Sequence, residues 1–277
     1  MNCFQHGNHT LYYLTAGDPR NPSLVLLHGF LGSHQDFLPL LPSLTQQFYC
    51  ILPDLPGHGQ TLTAPGHYTF SEVADLLLAL LTACHIRHTH LLGYSMGGRL
   101  ALYVLCKFPE RIRRVVLESA SPGLKTAKER QQRQLRDSAI ARKLEQIHTP
   151  AELTTFLTGW YANPLFASLQ EHPQIYDSML ARRQNNRPKL LANALRGLST
   201  GRQPSLWDEL SEIENPLLLL AGAQDSKFVQ INRDMAQAMA GKENLVLSLV
   251  EGCGHNIHLE APAIYADEVA RFLRMQF

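Results

Sequence analysis

The sequence predicts an α/β fold: a mostly parallel central sheet flanked by helices, with a run of helices inserted into it. Short segments that are apolar at nearly every position recur along the chain, and stretches with helical spacing separate them. The alternation stops between residues 119 and 204, where only helical patterns occur, and resumes at Pro216. Continuously apolar segments suit strands covered on both faces of a parallel sheet. Their alternation with helices suits a doubly wound arrangement.

The predicted strands are 24–27, 49–52, 90–92, 115–117, 217–220 and 245–250. Thr69-Phe-Ser-Glu72 is a capping box for a helix running to about residue 83, since a threonine oxygen and a glutamate three residues on can satisfy each other's backbone donors. A second helix spans 96–108 and stops at Pro109. A third spans about 261–275, with its prolines confined to the first turn. Inside the insertion, helical spacing covers 127–147, 150–161, 175–184 and 188–198. The expected organisation is one body, with residues 1–118 and 205–277 as core and 119–204 as a helical cap. Ligands of such sheets bind outside the carboxyl ends of the strands, so the cap is expected to roof the site.

The chemistry is carried by His90-Leu-Leu-Gly-Tyr-Ser-Met-Gly-Gly98, an apolar strand running through G-x-S-x-G into a helix. The flanking glycines permit a very tight turn with Ser95 exposed at its apex, the nucleophile elbow of the α/β-hydrolase fold. The helix that follows aims its positive end at the reacting centre. A serine needs a base and the base an orienting carboxylate, in the chain order Ser, acid, His. Strand 217–220 opens into Asp225, and strand 245–250 opens into Glu-Gly-Cys-Gly-His255. Ser95, Asp225 and His255 are therefore expected at one edge of the sheet. Among thirteen histidines, His258 is the main rival for the base. His85, His88 and His90 are read as solvated, and His34 and His58 as loop residues without a partner nearby in sequence. The expected oxyanion hole uses the backbone N–H groups of Met96 and Phe30.

Composition narrows the partners. The chain has 277 residues, 25 Lys+Arg against 24 Asp+Glu and a net charge of +1, which calls for neither nucleic acid nor membrane insertion. Its five cysteines include no CxxC pair, and no metal-ligand spacing, dinucleotide fingerprint or P-loop occurs. Cys50 and Cys106 read as small buried hydrophobes. No cofactor and no metal is expected, and a cytoplasmic monomer is the simplest setting. Residues 125–204 hold 13 of the basic residues against 6 acidic ones, leaving 12 against 18 elsewhere. A basic cap over an acidic body suggests a small anionic substrate. Arg99, four residues after Ser95, lies on the same helix face one turn along, where its guanidinium could bind a carboxylate in bidentate fashion.

Several segments together resemble one family. They are His28-Gly-Phe-Leu-Gly32, Asp54-Leu-Pro-Gly-His-Gly59, Gly93-Tyr-Ser-Met-Gly-Gly-Arg99, Glu118-Ser-Ala-Ser-Pro-Gly-Leu124, Trp160-Tyr-Ala-Asn-Pro-Leu-Phe-Ala-Ser168, Arg183-Gln-Asn-Asn186, Asp225-Ser-Lys-Phe228 and Gly254-His-Asn-Ile-His-Leu-Glu260. The chain resembles the 2-succinyl-6-hydroxy-2,4-cyclohexadiene-1-carboxylate synthases of menaquinone and phylloquinone biosynthesis, from about residue 10 to 275. The resemblance implies a carbon–oxygen lyase acting on a polycarboxylate. The serine, activated by histidine, removes a ring proton, pyruvate is expelled, and the oxyanion hole holds a substrate carboxylate. It further implies anion-binding roles for Arg99, Arg133 and Arg183, with Tyr94, Trp160 and Phe166 shaping the pocket. Arg130 shares a helix with Arg133, and the spacing to Pro122-Gly-Leu124 favours Arg133. Replacing Arg133 or Arg183 is expected to weaken binding and leave folding intact. The alternative is a serine hydrolase of an anionic ester, a thioester or a carbon–carbon ring-fission product, since hydrolysis and elimination share the same base.

Overall fold

The computed structural model describes residues 1–63 and 68–276. At its centre lies a sheet of strands β1 Asn2–His6, β2 His9–Ala16, β3 Ser23–Leu27, β4 Tyr49–Pro53, β5 Thr89–Tyr94, β6 Ile112–Glu118, β7 Leu217–Gly222 and β8 Leu245–Val250. Their order is β1-β2-β4-β3-β5-β6-β7-β8. β3 to β8 are parallel, and each predicted strand falls within one of them. β1 and β2 form an antiparallel hairpin, and β2 joins it to β4.

The helices are α1 Leu41–Leu44, α2 Phe70–Ala83, α3 Met96–Lys107, α4 Ala127–Glu145, α5 Pro150–Tyr161, α6 Ala167–Gln170, α7 Pro173–Arg183, α8 Pro188–Gly197, α9 Ser226–Ala238, α10 Ile257–Glu260 and α11 Pro262–Arg274. Successive strand residues point to opposite faces, and this divides the core. Leu91, Val115, Leu117, Leu217 and Leu219 pack with Val73 and Leu77 of α2 and Leu100 and Val104 of α3. Their neighbours Leu92, Val116, Leu218 and Leu220 pack on the other face, with Tyr265, Val269 and Phe272 of α11. Both faces of the central strands are thus dry, which explains their unbroken apolar sequence.

Three helices start with the same device. Thr69 with Glu72, Thr126 with Glu129 and Thr149 with Glu152 form capping boxes at α2, α4 and α5. The helices α4 to α8 leave the sheet after β6 and return at β7. Leu144, Leu157, Tyr161, Phe166, Leu191 and Leu195 make an apolar cluster that also takes in Leu31 and Leu259. α4 buries only Asp137, Ala141 and Leu144. It is held to α8 by the Arg196–Glu145 pair and by the Ser199 hydroxyl, which donates to Asp137 at 2.6 Å.

Sequence reasoning missed the β1–β2 hairpin and α9. The hairpin turns through Gly7 at φ 55°, a conformation that favours glycine, and its strands are mostly exposed or half-buried at the sheet edge. It therefore lacks the continuous apolar signal of the inner strands. Three histidine readings are corrected. His90 is buried against Phe48 rather than solvated. His34 is buried and donates to Asp54, 20 residues away, at 2.8 Å. His58 is buried between His28 and Phe30. No helix among the described residues is long and apolar enough to cross a membrane.

Candidate active site

β5 runs straight into α3 through Ser95, whose φ of 48° and ψ of −105° are rare for a residue with a side chain. Such strain persists only where the surroundings enforce it. A Cβ on Gly97 would lie 2.0 Å from the Leu27 carbonyl oxygen, and one on Gly93 would lie 2.5 Å from that of Gly97. Only glycine lets α3 approach β3 and β5 this closely. The Ser95 N–H donates to the Glu118 carbonyl of β6 at 2.9 Å, which fixes the turn to the next strand.

Asp225 follows β7 and His255 follows β8. The His255 Nδ1–H donates to Asp225 Oδ2 at 2.6 Å, which leaves Nε2 to accept from the Ser95 hydroxyl at 3.3 Å. The imidazole is 2% exposed and packed by Phe228, Tyr94 and Phe166 with ring centroids 4.8, 5.3 and 5.7 Å away. Asp225 also caps α9, its Oδ1 accepting from the Phe228 N–H at 3.2 Å. The His255 loop is pinned by Glu260, which accepts from the Gly254 N–H at 2.8 Å, and by Asn256, whose amide donates to the Tyr94 hydroxyl at 2.8 Å. His258, the rival base, instead donates Nδ1–H to the buried carboxylate of Glu118 at 2.8 Å, and its own N–H donates there too. It buttresses Tyr94 from behind, with ring centroids 4.5 Å apart.

A cavity of about 330 Å³ opens at Ser95 and His255. Phe30, Tyr94, Met96, Arg99, Arg133, Trp160, Phe166 and Arg183 all line it, while Asp225 lies behind His255. Met96 begins α3, so its N–H has no acceptor within the helix. A Cβ on Gly29 would come within 3.6 Å of Ser95 Cβ, which places the loop carrying Phe30 against the elbow. That loop is fixed by the buried His28, which donates Nδ1–H to the Gly29 carbonyl and accepts at Nε2 from the Leu55 N–H. Trp160 leans on Phe30 with centroids 5.2 Å apart.

The arginines differ. Arg99 has only the Gln203 side-chain oxygen at 3.4 Å and the Phe70 ring at 5.6 Å as partners, and no carboxylate among the described residues pairs with it. Burial, and then Arg133, push its pKa down to about 9, and Asp137 opposes them. At neutral pH it remains a cation short of counter-charge. Arg133 donates Nε–H to both oxygens of Asp137 at 2.8 and 2.9 Å and keeps its terminal nitrogens for the cavity. Arg130 turns away, to the Leu124 and Lys125 carbonyls. Arg183 departs from expectation. It is 3% exposed, both terminal nitrogens donate to Asp36 at 2.8 Å, and Nε donates to the Tyr161 hydroxyl at 3.1 Å. Its charge is already matched, and its removal would leave the buried Asp36 carboxylate with the more distant Arg182, at 3.8 Å, as its cationic partner, so a cost to the fold is now expected beside any loss of binding.

The chain matches the family model described as alpha/beta hydrolase fold over residues 22–262. A protein of Pectobacterium atrosepticum named 2-succinyl-6-hydroxy-2,4-cyclohexadiene-1-carboxylate synthase is 36% identical over 256 residues, 92% of this chain and 95% of its own. One of the same name from Serratia proteamaculans is 34% identical over 261 residues, 94% of this chain and 96% of its own. The chain belongs to this synthase family of α/β hydrolases. A solved structure of MenH from S. aureus superposes with a TM-score of 0.87 at 34% identity, covering 95% of this chain and 97% of that one.

Within this synthase fold, sequence reasoning left out several cavity residues. Lys125 sits 4.2 Å over the Trp207 ring, Asp137 bridges Arg133 and Ser199, and Lys227 lies two residues past Asp225. Lys227 was within reach, since Asp225-Ser-Lys-Phe228 is among the segments that carry the resemblance. Its role depends on α9, whose start at the triad loop carries no strong pattern.

Proposed function

We propose that the chain eliminates pyruvate from 2-succinyl-5-enolpyruvyl-6-hydroxy-3-cyclohexene-1-carboxylate to give 2-succinyl-6-hydroxy-2,4-cyclohexadiene-1-carboxylate. The observation that carries this reading is a Ser–His–Asp array opening on a cavity that holds Arg99, a half-buried cation with no carboxylate among the described residues hydrogen-bonded to it. An esterase of neutral lipids would gain nothing from it, whereas a polycarboxylate supplies the missing charge. The reading assigns catalysis to Ser95, His255 and Asp225. It assigns the oxyanion hole to the N–H groups of Phe30 and Met96, substrate carboxylates to Arg99 and Arg133, and the pocket walls to Tyr94, Trp160 and Phe166. Arg183 joins the site from its pair with Asp36. It anchors residues 119–204 as a cap. The setting is a cytoplasmic monomer that needs no cofactor or metal.

The succinyl ketone acidifies the ring C2–H. Ser95 Oγ takes that proton while its own passes to His255 Nε2, and Asp225 stabilises the imidazolium that forms. The electron pair makes C2=C3, the old C3=C4 pair moves to C4=C5, and the C5–O bond breaks toward the enolpyruvyl oxygen. The proton held by His255 is returned as enolpyruvate becomes pyruvate, and the array is restored. Donors in the oxyanion hole hold a substrate carboxylate, which orients the ring for proton removal.

The test is incubation with the enolpyruvyl substrate, following pyruvate by a coupled assay and the diene by absorbance. Stoichiometric pyruvate is expected. Rapid turnover of p-nitrophenyl esters without pyruvate release would favour the hydrolase reading, which shares this array.

A further inference from the structure

Beside the cavity at Ser95 lies a second one of about 840 Å³, bounded by α4, α5, the 163–168 turn and the 224–227 turn. The two share Arg133, Asp137, Trp160, Leu165, Phe166 and Lys227, so these residues form the neck between them. Three of the six are charged. Arg133 and Asp137 satisfy each other. Lys227 does not have such a partner, since among the described residues no carboxylate pairs with its ammonium. Nζ sits 5.2 Å from the centroid of the neighbouring Phe228 ring, and the same ring meets the His255 imidazole at 4.8 Å. Lys227 keeps an exposed side, yet partial desolvation and then Arg133 lower its pKa, Asp225 raises it, and Arg99 adds to the lowering. Lys227 therefore shares one field with Arg99 and Arg133, and among the described residues Asp137 is the only carboxylate hydrogen-bonded to any of the three.

We propose that Lys227 binds the carboxylate of the leaving enolpyruvyl group, and that the outer cavity is the route by which the freed 2-oxo acid departs. This rests on the elimination reading above. The argument is positional. His255 must return its proton to the leaving group, so that group lies at the imidazole, and Lys227 is the cation one aromatic ring away. Arg99 lies deeper, one helical turn behind Ser95, where it suits a carboxylate that stays with the ring. The two cavities share these lining residues, and a cation among them keeps hold of a small acid until the outer space receives it. An ammonium at that point also strengthens as a partner while negative charge grows on the departing oxygen, which ties it to turnover as well as to binding.

The experiment compares wild type with Lys227→Met and Lys227→Arg in the pyruvate-release assay, and measures inhibition by pyruvate and by a succinylated benzoate. Loss of a charge-assisted hydrogen bond is expected to lower kcat/KM of Lys227→Met by roughly 10- to 100-fold, with kcat falling as well as KM rising. Pyruvate inhibition should weaken by roughly tenfold or more while the benzoate binds as before, and Lys227→Arg should recover most of both. Equal pyruvate inhibition in wild type and Lys227→Met would overturn the proposal. So would an equal loss of both inhibitors, because that marks a general field rather than a leaving-group site. A wild-type protein that releases no pyruvate would instead defeat the elimination reading. Calorimetric titration of pyruvate into wild type and Lys227→Met reads the subsite without turnover, and equal affinities there would overturn it too.

Discussion

Asp36 and Arg183 stand 147 residues apart in the chain and face each other through two hydrogen bonds of 2.8 Å where solvent does not reach. Asp36 belongs to the turn after β3, beside the proposed oxyanion loop, and Arg183 ends α7. The pair ties the inserted helices to the body through two charge-assisted hydrogen bonds. Burial alone would raise the Asp36 pKa, but Arg183 outweighs it and the net shift is downward. Asn186 adds a second link at the same place, its amide donating to the Leu31 carbonyl at 2.8 Å.

Removing Arg183 leaves the buried Asp36 carboxylate facing Arg182 at 3.8 Å, a longer and weaker contact, so the loss approaches the roughly 3–5 kcal/mol of a broken buried pair. Arg183→Ala should therefore lower the Tm, by roughly 6–20 °C for a chain of this size. Replacing both partners with apolar residues, as in Asp36→Leu with Arg183→Met, should recover much of that loss. Differential scanning calorimetry of the single and double variants decides it. A single variant as stable as wild type would show that the pair contributes little.

Arg99→Ala and Arg133→Ala should act on substrate rather than on the fold, because neither leaves a fully buried carboxylate alone. Each removes a charge-assisted contact worth about 1.5–3 kcal/mol, so kcat/KM should fall roughly 10- to 150-fold. Arg133→Ala should be the more severe, since it also uncovers the Asp137 carboxylate, which lines the cavity and keeps the Ser199 hydroxyl as donor. Steady-state kinetics beside a melting curve separates the two effects. Unchanged kcat/KM in both would remove them from substrate recognition.

Ser95→Ala should lower kcat by about a thousandfold or more, the scale seen when a triad nucleophile or base is removed. Binding of a succinylated benzoate should persist, because the anion-binding residues are untouched. Calorimetric titration provides the check, and loss of binding together with turnover would point to a collapsed elbow.

Two histidines set an acid limit. Burial, reinforced by Arg114 and Arg113, pushes the His90 pKa down from 6.5 to about 4, and burial with His28 pushes His58 down to about 3. Both stay neutral in the folded state while the unfolded chain takes up their protons near pH 6.5, so unfolding binds protons below that pH. The stability they confer is complete above about pH 6.5 and drains away toward pH 4 and then pH 3. For His90 the loss is on the order of 3 kcal/mol. Urea denaturation between pH 7 and 4 should show the slope, and His90→Leu should flatten it. An unaltered slope in that variant would assign the protons elsewhere.

Features that local chemistry dictates were readable in advance. The strands from β3 to β8 announce themselves because both faces are covered, and Ser95 because no side chain larger than hydrogen fits at Gly93 or Gly97. Asp225 and His255 could be placed because each follows a legible strand. Features that depend on distant partners could not be seen. The pairing of Arg183 with Asp36, of His34 with Asp54 and of His258 with Glu118 joins residues 147, 20 and 140 positions apart. An arginine read alone suggests a ligand for anions, and only the fold reveals that two of the three already face a carboxylate, Arg133 through Nε alone and Arg183 through both terminal nitrogens. Lys227 escaped for the opposite reason: it lies inside a segment that carries the resemblance, but that it lines both cavities shows only in the fold.

Strands β6 and β7 are ladder neighbours, Val115 beside Leu217 and Glu118 beside Leu220, although the chain wanders through five helices between them. The ladder carries no memory of that detour, so its length and contents are free to drift without shifting any register. Evolution can thus trade one roof for another while the proton-handling floor stays still. Of the residues proposed to select the substrate, Arg133, Trp160 and Phe166 come from the detour while Arg99 and Tyr94 belong to the floor, so a change of diet can begin in the roof with no change of skeleton.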